Sequence, residues 1–235
     1  MIAAGEGSRL KDLGVCKPMV TVAGVPLIEH VLSNFEAAGI ASAAVVLNET
    51  ARDCEAFVRG RFGALVSKII VKTTRSSLES FREILSAAPE GRLLVSTVDA
   101  FCPQKDFVRF VRRAEELDPA ATVLAVTRYV NDEKPLWVTT TRSGRVTVVG
   151  GASGDAVTAG IYVFPEKVRR LGIPESLGRL RDFLAWLAKS NEPIEAVEIK
   201  KVVDVDRAED LAAAEELADS SLSRRERDGV RGTAR

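Results

Sequence analysis

The feature that most constrains the fold of this chain is an alternation, through its first half, of apolar runs of strand length with segments of helical periodicity. Residues 26–38 carry apolar side chains at helical spacing, and residues 43–47 that follow are entirely apolar. The same criteria predict helices at 51–59, 78–87 and 104–117, and strands at 69–71, 93–98 and 122–126. This rhythm predicts an α/β fold with a mostly parallel central sheet and helices on both faces.

The middle of the chain departs from this rhythm and predicts a small antiparallel insertion. Residues 137–141 and 146–149 are strand-like and flank Ser143-Gly144, a pattern typical of a β-hairpin. The remaining predicted elements are a strand at 158–164, a helix at 177–189, extended segments at 194–199 and 202–205, and a last helix from near Arg207. We expect a single domain over 1–218, followed by a polar, charged and disordered tail over 219–235.

Composition narrows the class of protein. With 235 residues, 46% hydrophobic content and a formal net charge of zero, the chain is long enough for one sizeable core and lacks the basic excess of most nucleic-acid binders. The three cysteines are widely spaced, which favours neither a zinc site nor a disulfide framework and is consistent with a reducing cytoplasm. No apolar stretch reaches the ~20 residues that a membrane-spanning helix needs, and no signal peptide is visible. The oligomeric state stays open.

A glycine-rich segment close to the N-terminus points to anion binding. In Gly5-Glu6-Gly7-Ser8-Arg9 the glycines permit a tight turn, and successive backbone N–H groups in such a turn form a nest for anions. Arg9 and Lys17 add two positive charges beside it. The segment is not a dinucleotide fingerprint, because Leu10 stands where a third glycine is needed, and it is not a Walker loop. The alternative is an ordinary tight turn with surface charges.

Only Met1, Ile2 and Ala3 precede this segment as strand material, although such a loop normally follows a buried strand. We expect that the natural start lies several residues upstream. The alternative is a short first strand that still pairs.

The segment AAGEGSRL, followed by KPMVTVAGVPLIEHVL, resembles the nucleotidyltransferases that join a nucleoside triphosphate to a phosphorylated sugar or alcohol. Their signature is Ala-Ala-Gly-x-Gly-x-Arg, then Lys-Pro, then a Gly-x-Pro-Leu helix start. The strong match covers about the first fifth of the chain. The resemblance implies a Rossmann-like nucleotidyltransferase fold. It also implies that Ala4, Gly5 and Gly7 line the nucleotide loop, that Arg9 binds the departing β- and γ-phosphates, and that Lys17 contacts the α-phosphate and the acceptor phosphate.

Two aspartates are implied as ligands of Mg²⁺, the expected cofactor. Asp99 follows the apolar run 93–98, and a carboxylate at the carboxyl end of a parallel strand faces the ligand crevice of an α/β sheet. Residues 202–211 resemble the closing segment of the family, in which Asp204 matches the second metal position. Asp206 competes for that role, but we assign it to the cap of the last helix, with Glu209 reaching back to its backbone.

Further contacts follow from the same resemblance. In the segment 73–81, which follows a predicted strand, Ser77 and Ser80 fit a Ser-Leu-x-Ser pattern that meets base or ribose, although an ordinary helix cap at Ser76 or Ser77 is an equally good interpretation. Gly160 matches a segment that contacts the second substrate, whereas Tyr162 is expected in the core. The pattern around Ser77 favours cytidine or uridine over guanosine.

The predicted function is therefore a cytoplasmic, Mg²⁺-dependent nucleotidyltransferase that releases pyrophosphate. Its partners are an NTP and a phosphorylated small molecule, such as a sugar 1-phosphate, an inositol phosphate or a choline-type phosphate, with no nucleic acid or membrane. Two alternatives remain. One is a molybdenum-cofactor-type nucleotidyltransferase, and the other is a non-catalytic nucleotide-binding or regulatory homologue.

Overall fold

The computed structural model describes residues 1–5, 7, 9–10 and 14–232, with side chains up to residue 221. The strands in the described residues are β1 (Ile2–Ala3), β2 (Thr21–Val22), β3 (Val25–Pro26), β4 (Ala43–Leu47), β5 (Val66–Val71), β6 (Leu93–Ser96), β7 (Ala100–Phe101), β8 (Thr122–Thr127), β9 (Trp137–Thr140), β10 (Val146–Val149), β11 (Ala156–Phe164), β12 (Ile194–Glu198) and β13 (Val203–Asp204). The α-helices are α1 (Leu27–Ala37), α2 (Arg52–Phe62), α3 (Ser77–Ala87), α4 (Gln104–Glu116), α5 (Leu180–Lys189) and α6 (Ala208–Gly232), with 3₁₀ turns at Lys17–Met19 and Glu166–Arg170.

A mostly parallel central sheet organises the molecule, as the alternating sequence predicts. β1 pairs in parallel with β4, β4 with β5, and β12 with β8. β6 joins β1 through a parallel bridge between Ile2 and Thr97 and a 3.0 Å hydrogen bond from Val98 N to Ile2 O. β11 runs antiparallel between β6 and β8, and the hairpin of β9 and β10 extends from it. The predicted antiparallel insertion is confirmed.

Helices cover both faces of this sheet, because successive side chains of its buried strands point to opposite faces and both sets are apolar. In β4, Val45 and Leu47 pack into one hydrophobic cluster, whereas Ala44 and Val46 pack into the other. The first cluster includes apolar residues of α1, α2, α4 and α6, and the second includes those of α3 and α5. This layering leaves the carboxyl ends of β1, β4, β5 and β6 at one edge of the sheet.

Three segments differ from the sequence predictions. The strand β6 itself ends at Ser96, Thr97 continues it only as an isolated bridge to Ile2, and residues 98–99 form a turn. Only Val203–Asp204 of the predicted segment 202–205 forms a strand, and it pairs with β7. The backbone of 219–232 continues α6 as helix, where the polar composition predicted a disordered tail.

At the N-terminus the short first strand is present. Ile2 pairs with Val46 and Ala3 with Leu47, which aims the chain at Gly5.

Among the helices of the described ranges, none combines the length and hydropathy that crossing a membrane requires.

Candidate active site

The glycine loop leaves β1 at the carboxyl edge of the sheet and packs directly against Lys17. Gly7 has a φ of 57°, and a Cβ built there would lie 2.6 Å from the Lys17 Cβ. A side chain at position 7 is therefore excluded by both backbone conformation and space. Glu6 and Ser8 of the predicted loop, and residues 11–13, lie outside the described residues.

Lys17 is the buried cation of the site. It begins the 3₁₀ turn Lys17–Met19, and only 7% of its side chain is exposed. Its Nζ donates a 2.6 Å hydrogen bond to Asp99 Oδ2 and a second hydrogen bond to Asp206 Oδ1. Burial lowers the pKa of Lys17, but the charges of Asp99 and Asp206 outweigh this effect and hold the pKa above its ordinary value. The ammonium therefore stays charged in the crevice.

Asp99 lies just beyond β6, as the sequence predicts, and its backbone ties the two acidic segments together. The Asp99 carbonyl accepts a 3.0 Å hydrogen bond from Val205 N. Burial raises the pKa of the Asp99 carboxyl, whereas the Lys17 charge and hydrogen bonds from Lys17 and Thr97 lower it, and the net pKa is below its ordinary value. Asp99 is therefore an ionised carboxylate.

Three carboxylates converge here. Asp99, Asp204 and Asp206 each place an oxygen within 4.8 Å of the others. Burial, and then the charges of Asp99 and Asp206, raise the pKa of Asp204 to about 8. A cluster of hard oxygen donors with excess negative charge fits a Mg²⁺ ion. The structure thus adds Asp206 to the predicted pair Asp99 and Asp204.

The assignment of Asp206 to the helix cap is wrong. The carboxylate that caps α6 belongs to Asp210, whose Oδ2 accepts hydrogen bonds from Asp206 N at 3.0 Å and Arg207 N at 2.8 Å. Asp210 occupies the third position of α6, from which an acidic side chain reaches back to the backbone before the helix. Asp206 is consequently free to turn its carboxylate toward Lys17, and Glu209 is not the reciprocal residue.

Arg9 lies at the mouth of the site with half of its side chain exposed. One guanidinium nitrogen lies 3.7 Å from Asp206 Oδ2 and another 3.9 Å from Glu133 Oε2. Solvent-exposed ion pairs at these distances contribute little binding free energy. Arg9 can therefore exchange both carboxylates for phosphate oxygens.

A cavity of about 600 Å³ opens between the glycine loop and α3. It is lined by predicted residues and by residues that the motif did not single out: Ala4, Gly5, Gly7, Arg9, Lys17, Thr73, Thr74, Arg75, Ser76, Ser77, Ser80, Thr97, Asp99 and Asp206 among them. Ser80 and Ser77 lie in its wall, where the Ser80 hydroxyl shares a 2.7 Å hydrogen bond with Thr74 and Ser77 Oγ accepts one of 3.1 Å from Leu180 N. The N-cap of α3 is Ser76, whose Oγ accepts a 3.3 Å hydrogen bond from Glu79 N.

A second cavity, of about 180 Å³, adjoins the first and shares Thr97 and Asp99 with it. Gly160 lines it with a φ of 71°, and a Cβ there would lie 2.6 Å from Thr97 Oγ1. Tyr162 is buried as predicted but also reaches this wall. Asp204 lines this smaller cavity, whereas Asp206 lines the larger one.

Sequence reasoning missed the residues that close the second cavity. Asn131 and Asp132 come from the loop after β8, and Arg181 comes from the first turn of α5. The Arg181 guanidinium donates a 3.0 Å hydrogen bond to Lys134 O, which connects the two elements. In contrast, Thr73 to Ser76, which follow β5 and line the larger cavity, belong to the segment 73–81 that the sequence analysis singled out.

The sequence matches the MobA-like NTP transferase domain over residues 1–163. The chain belongs to this family of nucleotidyltransferases. Membership of this family is consistent with a glycine loop, a buried lysine and an acidic cluster at one edge of the sheet.

Two curated relatives are similar in sequence. A "Bifunctional IPC transferase and DIPP synthase" of Rubrobacter xylanophilus is 27% identical over 92% of this chain, and the match spans about half (51%) of the relative's length. A "Bifunctional protein GlmU" of Bartonella quintana is 31% identical over 37% of this chain and 18% of its own length.

Solved structures share the fold. An inositol-1-phosphate CTP transferase from T. maritima superposes with a TM-score of 0.80 at 19% identity, covering 94% of both chains. A putative glucose-1-phosphate thymidylyltransferase from Bacillus anthracis gives 0.78 at 17% identity, covering 92% of this chain and 93% of that one. The α/β nucleotidyltransferase architecture predicted from the sequence is confirmed.

Proposed function

We propose that this chain transfers a nucleotidyl group from a pyrimidine nucleoside triphosphate, with CTP as the first choice, to a phosphorylated polyol or sugar. Pyrophosphate is released and Mg²⁺ is the cofactor. The observation that carries this proposal is the position of Lys17 Nζ at the junction of the two cavities. It lies 2.6 Å from Oδ2 of Asp99, and Asp99 lines both cavities. A cation held at that junction can touch the two phosphates that must react.

The chemistry is an in-line displacement at the α-phosphorus. An oxygen of the acceptor phosphate forms a bond to that phosphorus, and the bond from it to the oxygen bridging the β-phosphate breaks. Such a reaction needs alignment and charge neutralisation more than covalent help from the protein. In this proposal Lys17 contacts the α-phosphate and the incoming oxygen, and Arg9 binds the departing phosphates. Asp99 and Asp206, with Asp204 beside them, would hold a Mg²⁺ ion that neutralises phosphate charge.

The small cavity supports a hydroxylated acceptor over a choline-type one. Recognition of a quaternary ammonium group uses open aromatic faces. Within the described lining, the aromatic residues are Tyr129 and Tyr162, and the ammonium of Lys201 already lies 4.5 Å from the centre of the Tyr129 ring. Carboxylates, hydroxyls and the Arg181 guanidinium supply the partners that polyol hydroxyls need. The name of the T. maritima protein, an inositol-1-phosphate CTP transferase, agrees with an inositol phosphate.

A matrix assay tests the proposal. Pyrophosphate release is measured for four NTPs against inositol 1-phosphate, glucose 1-phosphate and phosphocholine, with and without Mg²⁺. We expect the highest turnover with CTP and a polyol or sugar phosphate, and none after chelation. Lys17→Ala should lower turnover by orders of magnitude, whereas Lys68→Ala on the exposed side of β5 should not. An absence of release with every pair would favour a non-catalytic homologue, and release with phosphocholine alone would overturn the acceptor assignment.

A further inference from the structure

The loop between β8 and β9, residues 128–136, closes the smaller cavity. Asn131 and Asp132 of this loop lie in the cavity wall. The loop contains no strand or helix, so its position depends on the side chains that bind it from other elements. Arg181 of α5 binds its far end through a 3.0 Å hydrogen bond to Lys134 O. The rest of the loop is held from the start of α6.

Arg207, the residue just before α6, binds the loop and the helix at the same time. Its Nη1 donates a 3.0 Å hydrogen bond to Glu133 Oε1, and its Nη2 donates one of 3.2 Å to Asn131 O. Nη2 and Nε also contact the Asp210 carboxylate, at 3.2 and 3.5 Å. Asp210 in turn accepts a 3.2 Å hydrogen bond from Asn131 Nδ2. All three guanidinium nitrogens are therefore used to join two distant segments of the chain.

The place of Arg207 in the sequence links this contact to the acidic cluster. Arg207 follows Asp206 directly and lies three residues after Asp204, and both carboxylates belong to the cluster with Asp99. Among the described residues, Arg207 itself lines neither cavity. It does not touch a molecule bound there, and any effect on the reaction passes through the loop. One side chain thus fixes a wall of the smaller cavity relative to the cluster.

We propose that Arg207 is a positioning residue for the acceptor. By holding the loop at a fixed distance from the carboxylates, it sets how tightly the acceptor binds and which acceptors the cavity admits. The cavity measures only about 180 Å³, so a shift of one wall changes what fits. A misplacement of ~1 Å can cost on the order of 10²-fold in rate. This role rests on the proposed function, whereas the fixing of the loop does not.

Arginine is the residue that this position requires. Its planar fork reaches acceptors on two segments together, whereas the ammonium of a lysine is a single point charge at the end of a flexible stem. Arg207→Lys keeps a positive charge beside Asp210, and the backbone N–H of residue 207 still donates to that carboxylate. This variant should therefore keep the start of α6 and lose the loop contacts, even where Arg207→Ala fails to fold.

The experiment measures steady-state pyrophosphate release and amide hydrogen exchange in the full chain, Arg207→Lys and Arg207→Ala. We expect both variants to raise the acceptor KM at least about ten-fold, and the NTP KM and the half-saturating Mg²⁺ concentration to change by no more than about two-fold. The ratio of kcat/KM between inositol 1-phosphate and glucose 1-phosphate should move toward one. Amide exchange should become faster in residues 128–136.

Arg128→Ala is the matched control on the same loop. Arg128 pairs with Glu198 of β12 at 3.2 Å, and 70% of its side chain is exposed. It lines neither cavity in the described part of the chain. We expect this variant to leave the kinetic constants and the amide exchange of the loop unchanged, because it removes an arginine without removing the contact to α6.

The outcomes separate the two halves of the inference. Unchanged exchange of residues 128–136 in both Arg207 variants would overturn the fixing of the loop. Faster exchange with an unchanged acceptor KM, or with an equal rise of both KM values, would overturn the positioning role. If the unaltered chain releases no pyrophosphate with any substrate pair, the proposed function fails by itself. Calorimetric titration of inositol 1-phosphate into the unaltered chain and Arg207→Lys then tests the role, and equal affinities or no binding would overturn it.

Discussion

Lys17 and Gly7 illustrate, at the scale of single residues, how a short motif is tied to one geometry. The lysine lies with its Cβ where a side chain at position 7 would be, and its Nζ reaches Asp99. Glycine at position 7 therefore does more than permit a turn, because Lys17 occupies the space that any side chain at this position would need.

Gly7→Ala tests this fit. We expect turnover to fall at least about ten-fold, because the new Cβ must displace Lys17. Gly39→Ala is the matched control, since Gly39 also has a positive φ (76°) but nothing within 4 Å of a built Cβ. Both variants should lose about 1–2 kcal/mol of stability from backbone strain. Steady-state kinetics and urea unfolding check this, and equal losses of turnover in the two variants would refute it.

The three aspartates differ in which cavity they face, and this predicts different kinetic effects. Asp206 lines the larger cavity and contacts Lys17, so Asp206→Asn should raise the half-saturating Mg²⁺ concentration at least about ten-fold, as Asp99→Asn should. Asp204 lines the smaller cavity, so Asp204→Asn should act chiefly on the acceptor KM. Metal titrations of activity decide between them. A large metal effect for Asp204→Asn and none for Asp206→Asn would instead support the pair Asp99 and Asp204 that was assigned from the sequence.

At the scale of elements, the start of α6 decides where the acidic residues point. The Asp210 carboxylate accepts hydrogen bonds from two backbone N–H groups just before the helix. Its Oδ1 also accepts hydrogen bonds from the Arg207 guanidinium and the Asn131 side-chain amide, each at 3.2 Å. This cap orients the preceding residues, so that Asp206 reaches the site. The cap of α6 thus positions a candidate metal ligand.

Asp210→Ala should lower the free energy of unfolding by about 2 kcal/mol, because it removes a cap and takes one buried carboxylate away from the Arg207 guanidinium and the Asn131 amide. It should also reduce turnover, since Asp206 loses its orientation. Glu209→Ala, one residue earlier and 80% exposed, is the control and should be nearly neutral. Urea denaturation measures both, and a larger loss for Glu209→Ala would favour the cap inferred from sequence.

At the scale of the whole molecule, two cavities meet at one carboxylate. The larger lies against β1, β5 and α3, the smaller against β8, β11 and α5, and Asp99 beyond β6 belongs to both. The antiparallel β11 is the element that makes the second cavity possible, because it lies beside β6 with Gly160 packed against Thr97. The proposed nucleotide and acceptor sites therefore occupy separate regions of one crevice.

This separation predicts that two arginines act on different substrates. Arg181 lines only the smaller cavity and Arg75 only the larger one among the lining residues. Arg181→Ala should therefore raise the acceptor KM by roughly ten-fold, the loss of one charge-assisted hydrogen bond, and leave the NTP KM unchanged. Arg75→Ala should do the reverse, and each variant serves as the control for the other. Equal effects of one variant on both KM values would contradict the two-cavity assignment.

The sequence alone determined the α/β architecture, the antiparallel insertion, the glycine loop with Lys17, and Asp99 as an acidic residue beyond a strand. These follow from local patterns, since periodicity reflects burial and a strand carries its next residue to the sheet edge. Tertiary structure alone decided that Asp210 rather than Asp206 caps α6, and that Asn131, Asp132 and Arg181 close the second cavity. Each of these depends on contacts between segments distant in the chain, and no local period or spacing encodes which distant segment a side chain meets.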